Sequence, residues 1–547
     1  MTVTVTDVAG NRRTVAKGET VGDVYRSLSS FAPENAVLAQ IDNEVVDFQS
    51  EIEHDGVIRW LTLDSREGAM AYQRSLILLL VRAVADTYPD VTVRVAHSLG
   101  TALYCEWVTP DGRPLSAKEL KCVEERMILL RDMEPDIVKS VISRRGCLAY
   151  MRAHNMQTDC KILESMDVPE VTYYRTGAVA DYYFGPMLPS FAYLKLFALE
   201  LYAPGFLVRY PADFSATTLP PYKEVPKYAK VFLEAKEWAR TLRCSYVSQL
   251  NDAIRNGEIE DIVDLAEALQ EKRRAQIADY IAAQKPAIRL VLIAGPSSSG
   301  KTTFTKRLCT QLRVNNIQPV MISLDDYFVD RDKNPKKPDG SYDFESLRAI
   351  DIQFFNEQLL ALYAGEEVHL PEFDFITGKR HLRTESVRMT PGSVVVVEGL
   401  HALNDELSRV VPRYEKCKIY LGALTQLAIN DHNRISTTYA RLVRRLVRDH
   451  QFRGHGAEGT LAMWENVRQG EEANIFPFQE DADIVFNSAL IYELAVLKKL
   501  AEPLLMKIGP ESPHYHLAHQ LIRFLSPFAT LDERYVPEKS ILREFIG

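Results

Sequence analysis

The chain has 547 residues, 46% of them apolar and 25% charged, with a formal net charge of −9 at pH 7. Its length exceeds one ordinary core and predicts roughly three to four domains, while the apolar-to-charged balance excludes a disordered or fibrous chain. The negative balance gives no global pull toward nucleic acid or an anionic membrane, and seven scattered cysteines without a CxxC pair predict neither a disulfide framework nor a zinc knuckle and fit a reducing compartment.

The opening stretch MTVTVTDVAGNRRTV alternates like a strand and lacks the basic-then-apolar pattern of a signal peptide, and no apolar run is read as membrane-spanning, so a cytoplasmic location without membrane contact is expected. TVAKGETVGDVYRSL reads as a second strand and a helix capped by Thr20, giving a small β-grasp pattern to about Asp64. Further on, the aromatic-rich YYFGPMLPSFAYLKLFALELY is suited to a buried core. From about Pro220 to Gln284 the chain turns helical, with Ile262, Leu265, Ala266, Leu269, Ile277 and Ile281 near a 3.6-residue period. Lys285-Pro286 is expected to end that helix.

GPSSSGKTT follows the apolar run Leu290 to Ile293 and precedes a helix expected over Thr302 to Leu312. Gly295, Gly300, Lys301 and Thr302 satisfy G-x-x-x-x-G-K-[ST] in the strand-loop-helix context that the motif needs. Glycines let the backbone N–H groups of Ser297, Ser298, Ser299 and Thr303 curl around phosphate; Lys301 neutralises the outer phosphates and the Thr302 hydroxyl ligates Mg²⁺. The expected ligand is ATP with Mg²⁺.

A second strand, PVMISLDDYF, ends on Asp325 and Asp326, and a third, SVVVVEGLHAL, ends on Glu398. Both ends lie at the carboxyl edge, where parallel α/β sheets bind ligands. Asp325 can take a proton from an attacking hydroxyl or join the metal shell, Asp326 reads as a solvated neighbour or a helix cap, and Glu398 is the Walker-B-type carboxylate. Arg441, Arg444, Arg445 and Arg448 recur at three- and four-residue spacing, which predicts one cationic helical face opposite Leu442, Val443, Leu446 and Val447. HQFRGHG follows as a flexible lid segment.

Two resemblances come from these residues. GPSSSGKTT, SLDDYF, YDFESLRAID, LPEFDFITGKR, VVVVEGLHAL, the arginine helix and ADIVFNS resemble the uridine kinase and phosphoribulokinase family over about Ile288 to Leu500. The resemblance implies that Asp325 is the base, Asp343 grips ribose hydroxyls, Glu398 assists the metal, Arg380, Phe373 and Arg445 lie on the substrate side, and Arg448 and Arg453 are lid arginines. Phe373 stands where the family has a tyrosine, Gly378 where a histidine reads the pyrimidine, and His455 where another arginine is usual. The chain to Asp64 resembles the TGS domain of threonyl-tRNA synthetases, and LTLDSREGAMAYQRSLILLL with VTYYRTGAVADYYFGPMLPS resembles their editing domain. Of that domain's HxxxH and CxxxH residues only His97 remains, with Thr101, Tyr183 and Met187 in the other places, so a binding or scaffold role is expected.

The resulting expectation is a multidomain α/β and α+β chain: a TGS-like β-grasp domain (1–64), an editing-like α+β domain (65–219), a helical connector (220–285), a P-loop parallel-sheet kinase domain (286–510) and a C-terminal tail (511–547). Its expected activity is ATP-dependent phosphorylation of a small-molecule hydroxyl, with a nucleoside first and another alcohol open. No DNA partner is expected. The alternative is an NTP-gated RNA- or nucleotide-sensing protein whose N-terminal region binds RNA.

Overall fold

Alternation at the start of the chain becomes a five-stranded mixed sheet. β1 (Thr2–Asp7) and β2 (Arg12–Ala16) form a hairpin, α1 (Val21–Ser27) follows, and β3 (Ala36–Ile41), β4 (Glu44–Val46) and β5 (Gly56–Thr62) complete the order β2-β1-β5-β3-β4. Thr20 caps α1, accepting from the Asp23 N–H at 3.1 Å and donating to the Asp23 carboxylate at 2.6 Å. The computed structural model describes all residues except 1, 28–32, 34, 134–136, 155, 167, 285, 338, 339, 341, 375, 376 and 426.

Next come α2 (Arg66–Thr87), β6 (Thr92–Leu99), β7 (Ala102–Val108), α3 (Ala117–Asp132), β8 (Val138–Ser143), α4 (Arg144–Ala153), α5 (Gln157–Ser165), β9 (Glu170–Thr176), β10 (Val179–Tyr182), β11 (Ala198–Tyr202) and β12 (Gly205–Arg209). They build two antiparallel sheets, β11-β12-β7-β6 and β10-β9-β8. α2 corrects the reading that no apolar run approaches bilayer length: its 22 residues are long and apolar enough to cross one. Its apolarity serves burial here, because Leu76, Leu78, Leu79 and Leu80 are fully buried in a core with Val93, Val95, Leu103 and Phe206.

The connector is α6 (Pro226–Thr241), α7 (Val247–Asn256) and α8 (Ile259–Ala283); the residue expected to end α8, Lys285, lies outside the described residues. The buried stripe of α8 runs through Ile259, Val263, Ala266, Gln270, Arg274, Ile277 and Ile281, whereas Leu265 is exposed. Its face is set partly by polar contacts: Arg274 and, from the next helix, Arg307 both donate to Glu271, at 2.8 and 2.6 Å.

β13 (Leu290–Ala294), α9 (Lys301–Val314), β14 (Pro319–Ser323), α10 (Ile352–Tyr363), β15 (Val368–Asp374), β16 (Lys379–Val387), β17 (Val394–Glu398), β18 (Lys416–Gly422), α11 (Thr437–Phe452), α12 (Ala457–Asn474), β19 (Ile484–Asn487) and α13 (Glu493–Leu505) form the second half of the chain. Their sheet is parallel throughout, β14-β17-β13-β18-β19, and β15 with β16 stands apart as a hairpin. β13 and β17 are buried along their whole length, as strands covered on both faces must be. The order puts the carboxyl ends of β13, β14 and β17 side by side. α14 (Tyr515–Leu525) and α15 (Arg543–Ile546) follow, and the expected tail is instead core: Leu521, Leu525, Leu542 and Phe545 are fully buried.

The two halves share a core in which Leu99, Ala102, Tyr104 and Leu207 pack with Leu290, Leu292 and Val395, and a loop adds polar contacts. After β18, Asp431 accepts from Arg94 Nε at 2.9 Å and from the Tyr246 hydroxyl at 2.6 Å, His432 pairs with Asp181, and Asn433 donates to the Tyr182 carbonyl at 3.0 Å. The β-grasp sheet is tied separately: the Val45 N–H donates to His516 Nδ1 at 3.2 Å, His516 meets Gln520, and Gln520 accepts from Tyr439 of α11 at 2.7 Å.

Candidate functional site

The loop between β13 and α9 has the backbone that its glycines predict. Gly300 has φ of +86° and Ser298 of +59°, and a Cβ on Gly295 would lie 2.5 Å from the Leu421 carbonyl oxygen, so that position takes only glycine. α9 begins at Lys301, one residue earlier than expected. Lys301 Nζ curls back over the loop and donates to the Gly295 and Pro296 carbonyls at 2.8 and 3.2 Å. The hydroxyls of Ser298 and Ser299 are buried without a partner. Thr303 offers its first-turn N–H to Glu544 Oε2 at 2.9 Å, and Ser297 offers its own to Glu471 Oε1 at 2.8 Å.

Glu398 ends β17 under this loop. Its carboxylate accepts from the Thr302 hydroxyl at 3.3 Å and the Ser323 hydroxyl at 3.2 Å. Burial, reinforced by the charge of Asp325 and opposed by Lys301, pushes its pKa up to about 7. Asp325 is exposed at the end of β14, close enough to act electrostatically on Glu398, Glu345 and Arg453. Asp326 is neither a solvated neighbour nor a helix cap: it accepts from Arg383 at 2.9 Å and from the Phe373 N–H at 3.4 Å, pinning the β15–β16 hairpin. Sequence reasoning missed Glu345. Burial against Gly470 of α12, opposed by Arg445, pushes its pKa up to about 7, and only its place two residues after Asp343 in YDFES hinted at it.

The arginine helix departs from its expected geometry. Arg441, Arg444 and Arg445 are buried along with the apolar stripe, so α11 has no solvated cationic face. Arg441 forms a bidentate pair with Glu471 and also donates to the Ser297 carbonyl at 3.2 Å. Arg444 pairs with Glu493 and donates to the Ser298 carbonyl at 3.1 Å. Both therefore brace the outside of the loop, because buried carboxylates have claimed their charge. Arg445 donates to the Ser297 hydroxyl at 2.8 Å, while Arg448 and Arg453 gather around buried Asp449 at 2.8 and 3.7 Å. The Arg453 side chain is half exposed.

Half-buried Asp343 acts electrostatically on His401, which is buried and pushed down to about 4 by desolvation, opposed by the Glu345 backbone and Asp343. Arg380 is held by Asp351 at 2.9 Å and lies 4.7 Å over the Phe354 ring. Phe373 is buried, its ring 5.7 Å from that of Phe328. Gly378 has φ of +71°, and the Arg331 side chain lies 2.8 Å from where its Cβ would stand, so backbone geometry requires glycine there.

His97 lies elsewhere, stacked between Phe232 at 3.6 Å and Tyr104 at 5.0 Å. Desolvation pushes it down to about 3. Tyr183 and Met187 are buried in the core of that region and Thr101 is exposed.

The orphaned serine hydroxyls, the lysine turned onto its own loop and the glycine-only approach at Gly295 fit a polyphosphate, and Thr302 with Glu398 fits a divalent cation. Among the described residues no cluster of three or more His, Cys, Asp or Glu is placed to hold a metal ion. A cation here would therefore take most of its ligands from phosphate and water.

A family model described as the phosphoribulokinase / uridine kinase family matches residues 290–494, and this part of the chain is a kinase-family domain. The N-terminal region matches threonine–tRNA ligases. That of Caldanaerobacter subterraneus subsp. tengcongensis is 25% identical over 200 residues, covering 36% of this chain and 30% of the relative. That of Syntrophotalea carbinolica is 26% identical over 234 residues, covering 42% and 36%. The chain thus spans about a third of the length of these relatives. Among solved structures, one described as a possible uridine kinase from Bacillus stearothermophilus aligns with a TM-score of 0.28 at 23% identity, covering 40% of this chain and 98% of that one. D-glycerate 3-kinase from Cryptococcus neoformans var. grubii aligns with a TM-score of 0.20 at 15% identity, covering 46% and 87%.

Proposed function

We propose that the chain moves the γ-phosphate of ATP to a hydroxyl of a small-molecule acceptor, with nucleosides as the first class to test. The observation that carries this reading is the convergence of Lys301, Thr302 and Glu398 on one loop, with Asp325 exposed beside them. A protein that only senses a nucleotide has no use for a carboxylate on the acceptor side. Loop amides and Lys301 hold the phosphates, and Thr302 and Glu398 would hold Mg²⁺, which would supply further neutralisation of phosphate charge. Asp325 accepts the proton of the acceptor hydroxyl as the new P–O bond forms and the bond to ADP breaks. Arg448 and Arg453 supply positive charge from the lid side, and closure excludes water. Glu345 and Asp343 line the acceptor side, where paired acidic groups suit a vicinal diol.

Full-length protein tested for ADP formation against a panel of nucleosides and sugar alcohols should respond to one acceptor. Asp325→Asn should abolish that response while ADP still binds. A second reading, a nucleotide-gated sensor of RNA, is favoured by the Asp431–His432–Asn433 contacts that join the N-terminal region to the chain just ahead of α11. RNA binding without turnover on any acceptor would select it over the kinase.

A further inference from the structure

The loop that we read as a nucleotide site already has an anionic occupant from the same chain. Glu544, on the four-residue helix α15, accepts from the Thr303 N–H at 2.9 Å, a partner separated by 241 residues. First-turn amides of a helix have no partner within it and carry the positive end of its dipole, so they are where an anion is held. The contact is built rather than incidental. Ile541 packs so closely on Gly300 that a Cβ there would lie 2.6 Å from its Cδ1. Arg444, which braces the loop from the other side, lies 5.0 Å over the Phe545 ring.

The segment is anchored as firmly as the loop. Ile541, Leu542 and Phe545 are buried, and Arg543 donates to the Pro537, Glu533 and Val536 carbonyls of the preceding turn. The Ser540 hydroxyl lies 3.4 Å from that of Tyr492, which donates to Glu267 of α8 at 2.7 Å. α15 also packs along α11. Glu544 also adds negative charge near Glu398 and acts on Arg453, so it belongs to the same electrostatic site as the groups assigned to phosphate transfer.

We propose that Ser540–Gly547 is an autoinhibitory strap whose Glu544 carboxylate holds the α9 amide that a nucleotide phosphate needs, so that nucleotide and strap compete. This rests on reading Gly295–Thr303 as the nucleotide site. Two anions cannot share one amide without repulsion, so the nucleotide has to displace the carboxylate. The strap therefore sets the nucleotide affinity of the resting protein.

The test is ADP binding by calorimetry to the full-length wild type, Glu544→Gln and Glu544→Ala, with Lys301→Ala as a control. Removing the charge should tighten ADP binding about threefold or more, with Ala at least as effective as Gln, because the amide oxygen of Gln still accepts from Thr303. Equal or weaker binding by both variants, with Lys301→Ala still abolishing it, would overturn the strap and leave the nucleotide site standing. No ADP binding by any of the proteins would instead overturn the site itself. Independently, ADP should speed amide hydrogen exchange in residues 540–547 of the wild type; slower exchange would mean that the strap helps to hold the nucleotide, and would also overturn the proposal.

Discussion

His97 and Glu398 are both ionisable groups near the end of a strand, and each carries a strongly displaced pKa. His97 is pushed down to about 3 between two rings, while Glu398 is pushed up to about 7 beneath the phosphate loop. What separates them is company. Two hydroxyls donate to Glu398, and Lys301 and Asp325 act on it; His97 stacks on two rings and feels only the like charges of Arg434 and Lys236, while the other positions of the editing pattern hold an exposed threonine, a buried tyrosine and a buried methionine. A displaced pKa marks a site only where other polar groups converge on the same point. By that measure polar groups converge around Glu398 and not at the positions of the editing pattern.

The largest expected effect tests that contrast directly. Once an acceptor is found, Asp325→Asn should lower kcat by about 10²- to 10⁴-fold, the usual contribution of a positioned base, while His97→Phe leaves kcat unchanged. Steady-state kinetics of both variants decide it, and a comparable loss from His97→Phe would erase the distinction between the two regions. Next in size is the brace behind the loop. Arg444→Met leaves Glu493 buried and unpaired, which should cost about 3–5 kcal/mol, read as a fall in the urea midpoint of the kinase-family domain. A loss below about 1 kcal/mol would mean that the pair is not the buried support its contacts imply.

The two regions also differ in how much of them could be read from sequence. GPSSSGKTT was legible because its geometry is local: the residues of the loop are consecutive, and glycine spacing fixes their backbone. Thr20 was legible for the same reason. Arginine spacing on α11 correctly put the side chains on one face, but spacing cannot say what the face meets, and Glu471 and Glu493 lie 30 and 49 residues further along. Glu345 gains its raised pKa from packing against Gly470, and Glu544 its place from a contact across 241 residues. Neither leaves a local mark. α8 fails at one position only: the period puts Ala266, Ile277 and Ile281 in the core and Ile262 and Leu269 against it, but Leu265 is exposed. α2 failed in the opposite sense, because a core helix and a bilayer-crossing one share length and composition.

The smallest predicted effect separates the regions by the sign of their response to pH. His97 has a folded pKa of about 3 against an ordinary 6.5, so between those values the unfolded chain binds a proton that the folded chain refuses. Stability is then intact above about pH 6.5 and is lost as pH falls through that window. Glu345 behaves in reverse: its folded pKa of about 7 against an ordinary 4.5 means that the folded chain holds the extra proton, so its contribution is complete below about pH 4.5 and is lost as pH rises toward 7. His97→Phe, which keeps a ring between Phe232 and Tyr104, should therefore recover roughly 1 kcal/mol at pH 5.5 and nothing at pH 8. Glu345→Gln should flatten only the fall in stability between pH 4.5 and 7. Urea midpoints followed from pH 5 to 8 give both slopes; if the two variants changed the slope with the same sign, the two regions would not be electrostatically distinct, and the contrast between the stacked histidine and the buried carboxylate would fail.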